Sequence, residues 1–129
     1  MAKIMIVDDE ESVRMFVKRV VEDLGHTAIE AENGVQGLDL LADHQVDLYF
    51  VDVFMPKMNG IGYLEKVKEI DPNAVIVMMT GHPSADTIVE TIEDDGYTYI
   101  SKPMKVEKLQ DLINRGLAVR TARVKGEWD

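Results

Sequence analysis

Residues 48–53 have the sequence LYFVDV and residues 74–79 have the sequence AVIVMM, two short runs that are almost entirely apolar. A strand with one face in water alternates apolar and polar residues, so a run without alternation indicates a strand buried on both faces. Strands of this kind occur mainly in parallel sheets that carry helices on both sides. The two runs therefore predict an α/β fold built around a parallel sheet.

Three further runs rich in apolar or β-branched residues, at residues 3–7, 27–31 and 97–100, bring the number of predicted strands to five. Segments with helical spacing lie between and after them. The clearest is an amphipathic stripe with i, i+3, i+4 and i+7 spacing, formed by Val13, Phe16, Val17, Val20, Val21 and Leu24. The opposite side of this helix is predicted to be polar and to carry Arg14, Lys18, Arg19 and Glu22. The alternation of strands and helices predicts a doubly wound (βα)5 fold with helices on both faces of the sheet.

The length of the chain favours one compact domain, because 129 residues with 46% hydrophobic side chains suffice for one folded core. The apolar stripe of the last predicted helix ends at Leu117, and basic residues and Gly126 follow it. We therefore assign residues 1–119 to the domain and residues 120–129 to a C-terminal tail or the start of a linker.

The charge balance is strongly acidic, with 14 Lys and Arg against 24 Asp and Glu and a formal net charge of −10. This excess repels nucleic acid and anionic lipid, so we expect no direct nucleic-acid binding. The chain has no cysteine, which excludes disulfides and cysteine-based zinc sites. No apolar run approaches the roughly 20 residues that span a bilayer, so we expect a soluble, cytoplasmic protein without membrane insertion.

Polar residues stand at the carboxyl ends of four predicted strands: Asp8 and Asp9 at the first, Asp52 at the third, Thr80 at the fourth and Lys102 at the fifth. Each has an ordinary explanation when taken singly, as an acidic residue at a helix N-terminus, a turn former or a solvated lysine. The carboxyl ends of parallel strands, however, meet at one edge of the sheet, where ligands of such folds bind. The combination therefore predicts a functional site at that edge.

Charge repulsion indicates what such a site requires. Three carboxylates a few ångströms apart repel by about 3–4 kcal/mol per pair at an effective dielectric constant near 20. Lys102 offsets one negative charge and leaves two, which a divalent cation would neutralise. Mg²⁺ suits a few carboxylates together with water and a phosphoryl group, and Mn²⁺ is an alternative. The alternating acidic pattern of a calcium loop is absent.

These motifs together resemble those of the receiver domains of two-component signalling, in particular the chemotaxis-regulator type. The resemblance rests on IVDDE at residues 6–10, VDVFMP at residues 51–56 with Gly60 after it, Thr80-Gly81 and Lys102-Pro103. It covers residues 3–118, nearly the whole chain. It implies a flavodoxin-like sheet with the strand order 2-1-3-4-5.

The resemblance also implies a role for each matching residue. Asp52 would accept a phosphoryl group from a histidine kinase, a phosphotransfer domain or a small phosphodonor. The metal ligands would be Asp8, Asp9, Asp52 and the backbone carbonyl of Phe54, with Asp8 acting largely through water. The remaining assignments are Lys102 and Thr80 in catalysis, Thr80 and Tyr99 in switching, Phe54 and His82 as modulators of phosphoryl loss, and a cis peptide before Pro103.

The predicted output surface consists of a helix at residues 84–94, the fifth strand and the last helix. The resemblance implies that this surface binds a downstream effector or a second copy of the chain, and that the protein is not an enzyme beyond its own phosphorylation and dephosphorylation. A phosphatase with an aspartate nucleophile would carry Asp-x-Asp, but Asp52 is followed by Val53 and Phe54. A phosphate-binding nucleotide loop is also absent. A phosphate-independent interaction module of the same fold remains the alternative.

Overall fold

The computed structural model describes residues 1–81 and 97–126. Its strands are β1 (Lys3–Val7), β2 (Thr27–Ala31), β3 (Leu48–Asp52), β4 (Ile76–Thr80) and β5 (Thr98–Ser101). Its helices are α1 (Glu11–Asp23), α2 (Gly34–Leu40), α3 (Gly60–Ile70) and a C-terminal helix (Val106–Val124). The helix predicted at residues 84–94 lies outside the described residues.

All five strands pair in parallel in the order β2-β1-β3-β4-β5. The predicted fold class and strand order are therefore confirmed. The register aligns Val7 with Val51 and Asp52 with Met79 across neighbouring strands. Because the strands are parallel and nearly in step, the residues at their carboxyl ends lie at one edge of the sheet.

The sheet separates two hydrophobic cores, because side chains along each strand point alternately to its two faces. One core joins α2 and α3 to the residues Met5, Val7, Tyr49, Val51, Ile76 and Met78. The other joins α1 and the C-terminal helix to Ile4, Ile6, Leu48, Phe50, Val77 and Met79. Burial on both faces explains why β1, β3 and β4 lack alternation in sequence.

Arg14 corrects the predicted polar side of α1. The structure buries this residue to 8% exposure, and its Nη1 donates a 2.7 Å hydrogen bond to the backbone carbonyl of Asp8. A long side chain can lie along an apolar surface and still place its charged end at a polar partner. On a helical wheel Arg14 lies only about 20° from Val21, so its charge, and not its position on the helix, led to the assignment to the polar side.

The C-terminal helix continues to Val124, so the predicted boundary at residue 119 falls inside it. Two arginines bind this helix to the turn before β4: Arg120 Nη1 lies 2.6 Å from Asp71 Oδ2, and Arg123 Nη1 donates to the carbonyl of Ala74 at 2.7 Å. The division of the chain at residue 119 stays a prediction. Across residues 1–81 and 97–126, no helix combines the length and apolarity that a membrane span requires.

Gly60, at the start of α3, lies directly against the end of β3. Its N–H donates to the carbonyl of Val53 at 2.8 Å. A Cβ at this position would overlap with the carbonyl oxygen of Asp52 and would lie 2.7 Å from Cε of Met78. Only glycine therefore permits this approach of the helix to the backbone of Asp52.

We expect Gly60→Ala to destabilise the fold by about 1–3 kcal/mol, because the added Cβ would clash with backbone atoms of Asp52 and Val53 and would push α3 away from β3. Urea unfolding would measure the change. Gly62→Ala is the matched control in the same helix, since its Cβ would meet Asn59 Oδ1 at 3.4 Å, an ordinary contact. Equal effects of the two substitutions would contradict the packing argument.

Candidate functional site

Three carboxylates and one ammonium group meet at the carboxyl edge of the sheet. Oxygens of Asp8, Asp9 and Asp52 all lie within 4.8 Å of one another. Asp8 is fully buried and Asp52 is 6% exposed, whereas Asp9 is exposed. The predicted convergence of these three side chains is what the structure shows.

Lys102 reaches into this cluster from the end of β5. Its Nζ lies 2.9 Å from Asp8 Oδ2 and 3.3 Å from Asp52 Oδ1. A third carboxylate, Glu10, lies 3.9 Å from the same ammonium and is largely exposed. One cation thus bridges the two buried carboxylates, and two negative charges of the aspartate cluster remain.

The burial of this cluster changes the protonation of Asp52. Burial raises the pKa of the Asp52 carboxyl from 3.8 to about 6, and the charge of Asp8 acts in the same direction. Lys102 and a backbone hydrogen bond at Phe54 lower it, but by less. Without a metal ion, the Asp52 carboxyl is therefore about half protonated near pH 6.

Burial and the neighbouring carboxylates act on the pKa of Lys102 in opposite directions. Burial lowers the pKa of the ammonium, but the hydrogen bonds from it to Asp8 and Asp52 and the negative charges of these two residues outweigh that effect. The net pKa lies above its ordinary value, so Lys102 is a fixed positive charge at this edge.

The donor set fits a hard divalent cation. Two or three carboxylates would supply oxygen ligands, and together with Lys102 they leave an excess of negative charge. Because Asp9 is exposed, water can complete the coordination, which is how proteins usually bind Mg²⁺. The orientation of the Asp8 carboxylate is fixed in part by a hydrogen bond, which its Oδ1 accepts from the N–H of Glu10 at 2.9 Å. Coordination by the carbonyl of Phe54 stays a prediction.

The predicted switch residues lie on β4 and β5, the strands at whose carboxyl ends Thr80 and Lys102 stand. Thr80 ends β4, is 1% exposed and pairs in register with Ser101 of β5. Tyr99 is partly buried and packs against the core that contains α2 and α3. Their positions are established, whereas their roles in switching stay predictions.

Of the two predicted modulators, only Phe54 lies within the described residues. Phe54 follows the cluster on the loop after β3, and 51% of it is exposed. His82 lies outside the described residues. The Lys102–Pro103 peptide bond is cis, the isomer that the resemblance implies.

Glu10 and Arg14 are the site neighbours that the sequence reasoning missed. Glu10 has no role of its own among the sequence predictions, yet its carboxylate lies 3.9 Å from the ammonium of Lys102. Arg14 contacts the backbone of Asp8 from one turn further along α1. A usable signal was present, since Arg14 directly follows Val13 at the border of the apolar stripe, four residues after Glu10.

Comparison with known proteins agrees with this geometry. The model of the family described as response regulator receiver domain matches residues 4–114. Sporulation initiation phosphotransferase F of Bacillus subtilis strain 168 is 32% identical over 119 residues, which are 92% of this chain and 96% of that protein. The chemotaxis protein CheY of the same strain is 33% identical over 116 residues, which are 89% of this chain and 97% of that protein.

The similarity extends to solved structures of longer proteins. A crystal structure of NtrX from Brucella abortus in complex with ATP superimposes with a TM-score of 0.90 at 28% identity. The match covers 96% of this chain but only 28% of NtrX. The chain thus spans nearly all of the small relatives and about a quarter of the large one.

Proposed function

This chain belongs to the family of response regulator receiver domains, and from that premise we propose that it is a signalling switch activated by phosphorylation of Asp52. Proteins of this family act in two-component signal transduction. The observation that carries the proposal is the position of Lys102, whose ammonium contacts both Asp8 and Asp52 at the carboxyl edge of the sheet. Such a cluster serves phosphoryl transfer, in which positioning and charge neutralisation do most of the work.

Asp52 is proposed as the nucleophile. One of its carboxylate oxygens forms a bond to phosphorus while the bond from phosphorus to the donor breaks, and the donor is a phosphohistidine or a small phosphodonor. Lys102 contacts the incoming phosphoryl oxygens, and the hydroxyl of Thr80 donates a hydrogen bond to one of them. The reaction is confined to the chain's own phosphorylation and dephosphorylation, with Phe54 and His82 controlling access of water.

Asp8, Asp9 and Asp52 are proposed to hold Mg²⁺, or Mn²⁺, together with the carbonyl of Phe54. When bound, the ion neutralises the carboxylates and the equatorial phosphoryl oxygens. The proposal is supported by the two negative charges that Lys102 leaves uncompensated in the aspartate cluster.

The phosphoryl group makes the site more negative by about one charge. We propose that this change draws Thr80 toward the site and is passed through Tyr99 to the surface formed by residues 84–94, β5 and the C-terminal helix. That surface would bind a downstream effector or a second copy of the chain. The phosphoryl donor would be a histidine kinase or a phosphotransfer domain, a proposal that the name of the sporulation phosphotransferase supports.

Incubation with acetyl phosphate and Mg²⁺ tests the proposed function. We expect one added phosphoryl group by intact-mass spectrometry, lost on treatment with hydroxylamine, as an acyl phosphate should be. A chelator should prevent the addition, and borohydride trapping should locate it at Asp52. An absent phosphoryl mass would instead favour the phosphate-independent interaction module, and trapping at Asp8 would refute the assignment of the acceptor.

A further inference from the structure

Arg14 lies behind the acidic cluster and touches none of its carboxylates. It is 8% exposed, and its Nη1 donates a 2.7 Å hydrogen bond to the backbone carbonyl of Asp8. We infer that Arg14 is a positioning residue that holds the turn of Asp8 and Asp9 in the geometry needed to bind a divalent cation. This inference rests on the proposed function, in which those carboxylates are metal ligands.

The contacts of Asp8 explain why its carbonyl matters. Its N–H donates to the carbonyl of Ala31 at 3.1 Å, and its two carboxylate oxygens accept from Glu10 N–H and Lys102. Arg14 is the donor to the remaining polar atom, the backbone oxygen. At Asp8, removing Arg14 would thus free only the backbone carbonyl, and the partners of the carboxylate would stay in place.

The backbone oxygen of Asp8 also determines the direction of Asp9. The carbonyl of one residue and the N–H of the next lie in one rigid peptide plane. Fixing the oxygen of Asp8 therefore fixes the plane from which Asp9 begins. Asp9 is exposed, so packing constrains its carboxylate little. The direction of that carboxylate therefore depends more on the orientation of this peptide plane.

Glu30 holds the guanidinium of Arg14 from the other side. Arg14 Nε lies 3.4 Å from Glu30 Oε1, and Lys18 Nζ lies 3.4 Å from the other oxygen of the same carboxylate. A buried guanidinium requires such a partner, because an isolated buried charge is strongly destabilising. Glu30 belongs to β2, so this pair joins α1 and β2 to the backbone of the candidate metal site.

The experiment compares Arg14→Met and Arg14→Lys with the wild-type chain. Mg²⁺ alone is titrated into each protein, followed by amide chemical shifts, and urea unfolding is measured in chelator. Phosphorylation rates are then measured over a range of Mg²⁺ concentrations. Arg19→Met is the matched control, since Arg19 lies on the same helix, its side chain is 83% exposed and its carboxylate partner Asp23 is 3.9 Å away.

We expect Arg14→Met to raise the dissociation constant for Mg²⁺ about 10-fold or more, the usual effect of losing a partner behind a metal ligand. Saturating Mg²⁺ should restore the phosphorylation rate, because no reacting group has been removed. Arg14→Lys should recover part of the affinity, and Arg19→Met should leave it unchanged.

A wild-type dissociation constant in Arg14→Met, accompanied by lower unfolding stability, would reduce Arg14 to a purely structural role and overturn the inference. If Arg14→Met does not fold, Arg14→Lys and Glu30→Ala decide, and unchanged affinity in both would overturn it. A wild-type chain that binds no Mg²⁺ would overturn this inference together with the proposed metal site. A wild-type chain that binds Mg²⁺ but is not phosphorylated would refute the phosphorylation switch and leave the inference intact.

Discussion

Replacing Asp52 with asparagine is expected to abolish phosphorylation and, in the metal-free protein at neutral pH, to stabilise the fold. The first effect follows because an amide cannot act as the acceptor. The second follows from the pKa of Asp52, which burial raises from 3.8 to about 6. The folded state thus favours the protonated carboxyl, and the corresponding stability is present below pH 4 and lost as the pH rises through 6.

The expected gain is large for a single substitution. Each pKa unit corresponds to 1.36 kcal/mol, so ionised Asp52 costs the metal-free fold roughly 2–3 kcal/mol at neutral pH. Asparagine has nearly the same shape and no charge, so the variant avoids this cost. Lys102 keeps its contact with Asp8 in the variant.

Thermal and urea unfolding in chelator, at several pH values from 4 to 8, would measure this difference, with the exposed Asp39→Asn as control. The stabilisation should be greatest at the alkaline end and shrink toward pH 4. Adding Mg²⁺ should stabilise the wild-type chain more than the variant, since ligand binding stabilises only what it binds. A metal-free wild-type chain as stable as Asp52→Asn at neutral pH would refute the electrostatic reasoning.

Replacing Lys102 with methionine is expected to slow phosphorylation by about 100- to 1000-fold, the usual consequence of removing one preorganised donor from a reacting centre. Its ammonium bridges Asp8 and Asp52 and is the cation placed to meet the phosphoryl oxygens. The pKa of Asp52 should rise further in this variant, because an effect that lowers it has been removed.

Single-turnover rates with acetyl phosphate at saturating Mg²⁺ would measure the loss. Lys105→Met is the matched control, because Lys105 is exposed and lies only three residues away. The affinity for Mg²⁺ should not fall in Lys102→Met, since removing a cation leaves the carboxylates more attractive to another. Rates equal to those of the control would exclude Lys102 from the chemistry.

The sequence predicted the fold well because β1, β3 and β4 are buried on both faces. Burial of this kind produces runs such as residues 48–53, whose short length and β-branched and aromatic residues favour a strand over a helix, and parallel pairing then places all strand ends together. The grouping of Asp8, Asp52 and Lys102 followed from that topology alone. The burial of Asp52, which is the main reason for its raised pKa, and the distances from it to Asp8 and Lys102 depend on side-chain packing that no sequence pattern contains.

Polar contacts account for what the sequence could not predict. The charge of Arg14 favoured the solvent side of α1, but its guanidinium donates to the buried carbonyl of Asp8. The apolar stripe of the last helix was predicted to end at Leu117, yet Val119 also packs in the core, and Arg120 and Arg123 bind the turn before β4. In both helices a long charged side chain makes buried polar contacts, which a hydrophobic pattern does not show.

Successive side chains of β4 point to opposite faces of the sheet, which has a practical consequence for observing this protein by spectroscopy. Met78 packs in one core and Met79 in the other, and Thr80 follows them directly. Methionine side chains are unbranched and adapt to small shifts of their surroundings. Isotope labelling of these two methyl groups would therefore place one spectroscopic reporter in each layer of the molecule, both attached to the strand that ends at the candidate site.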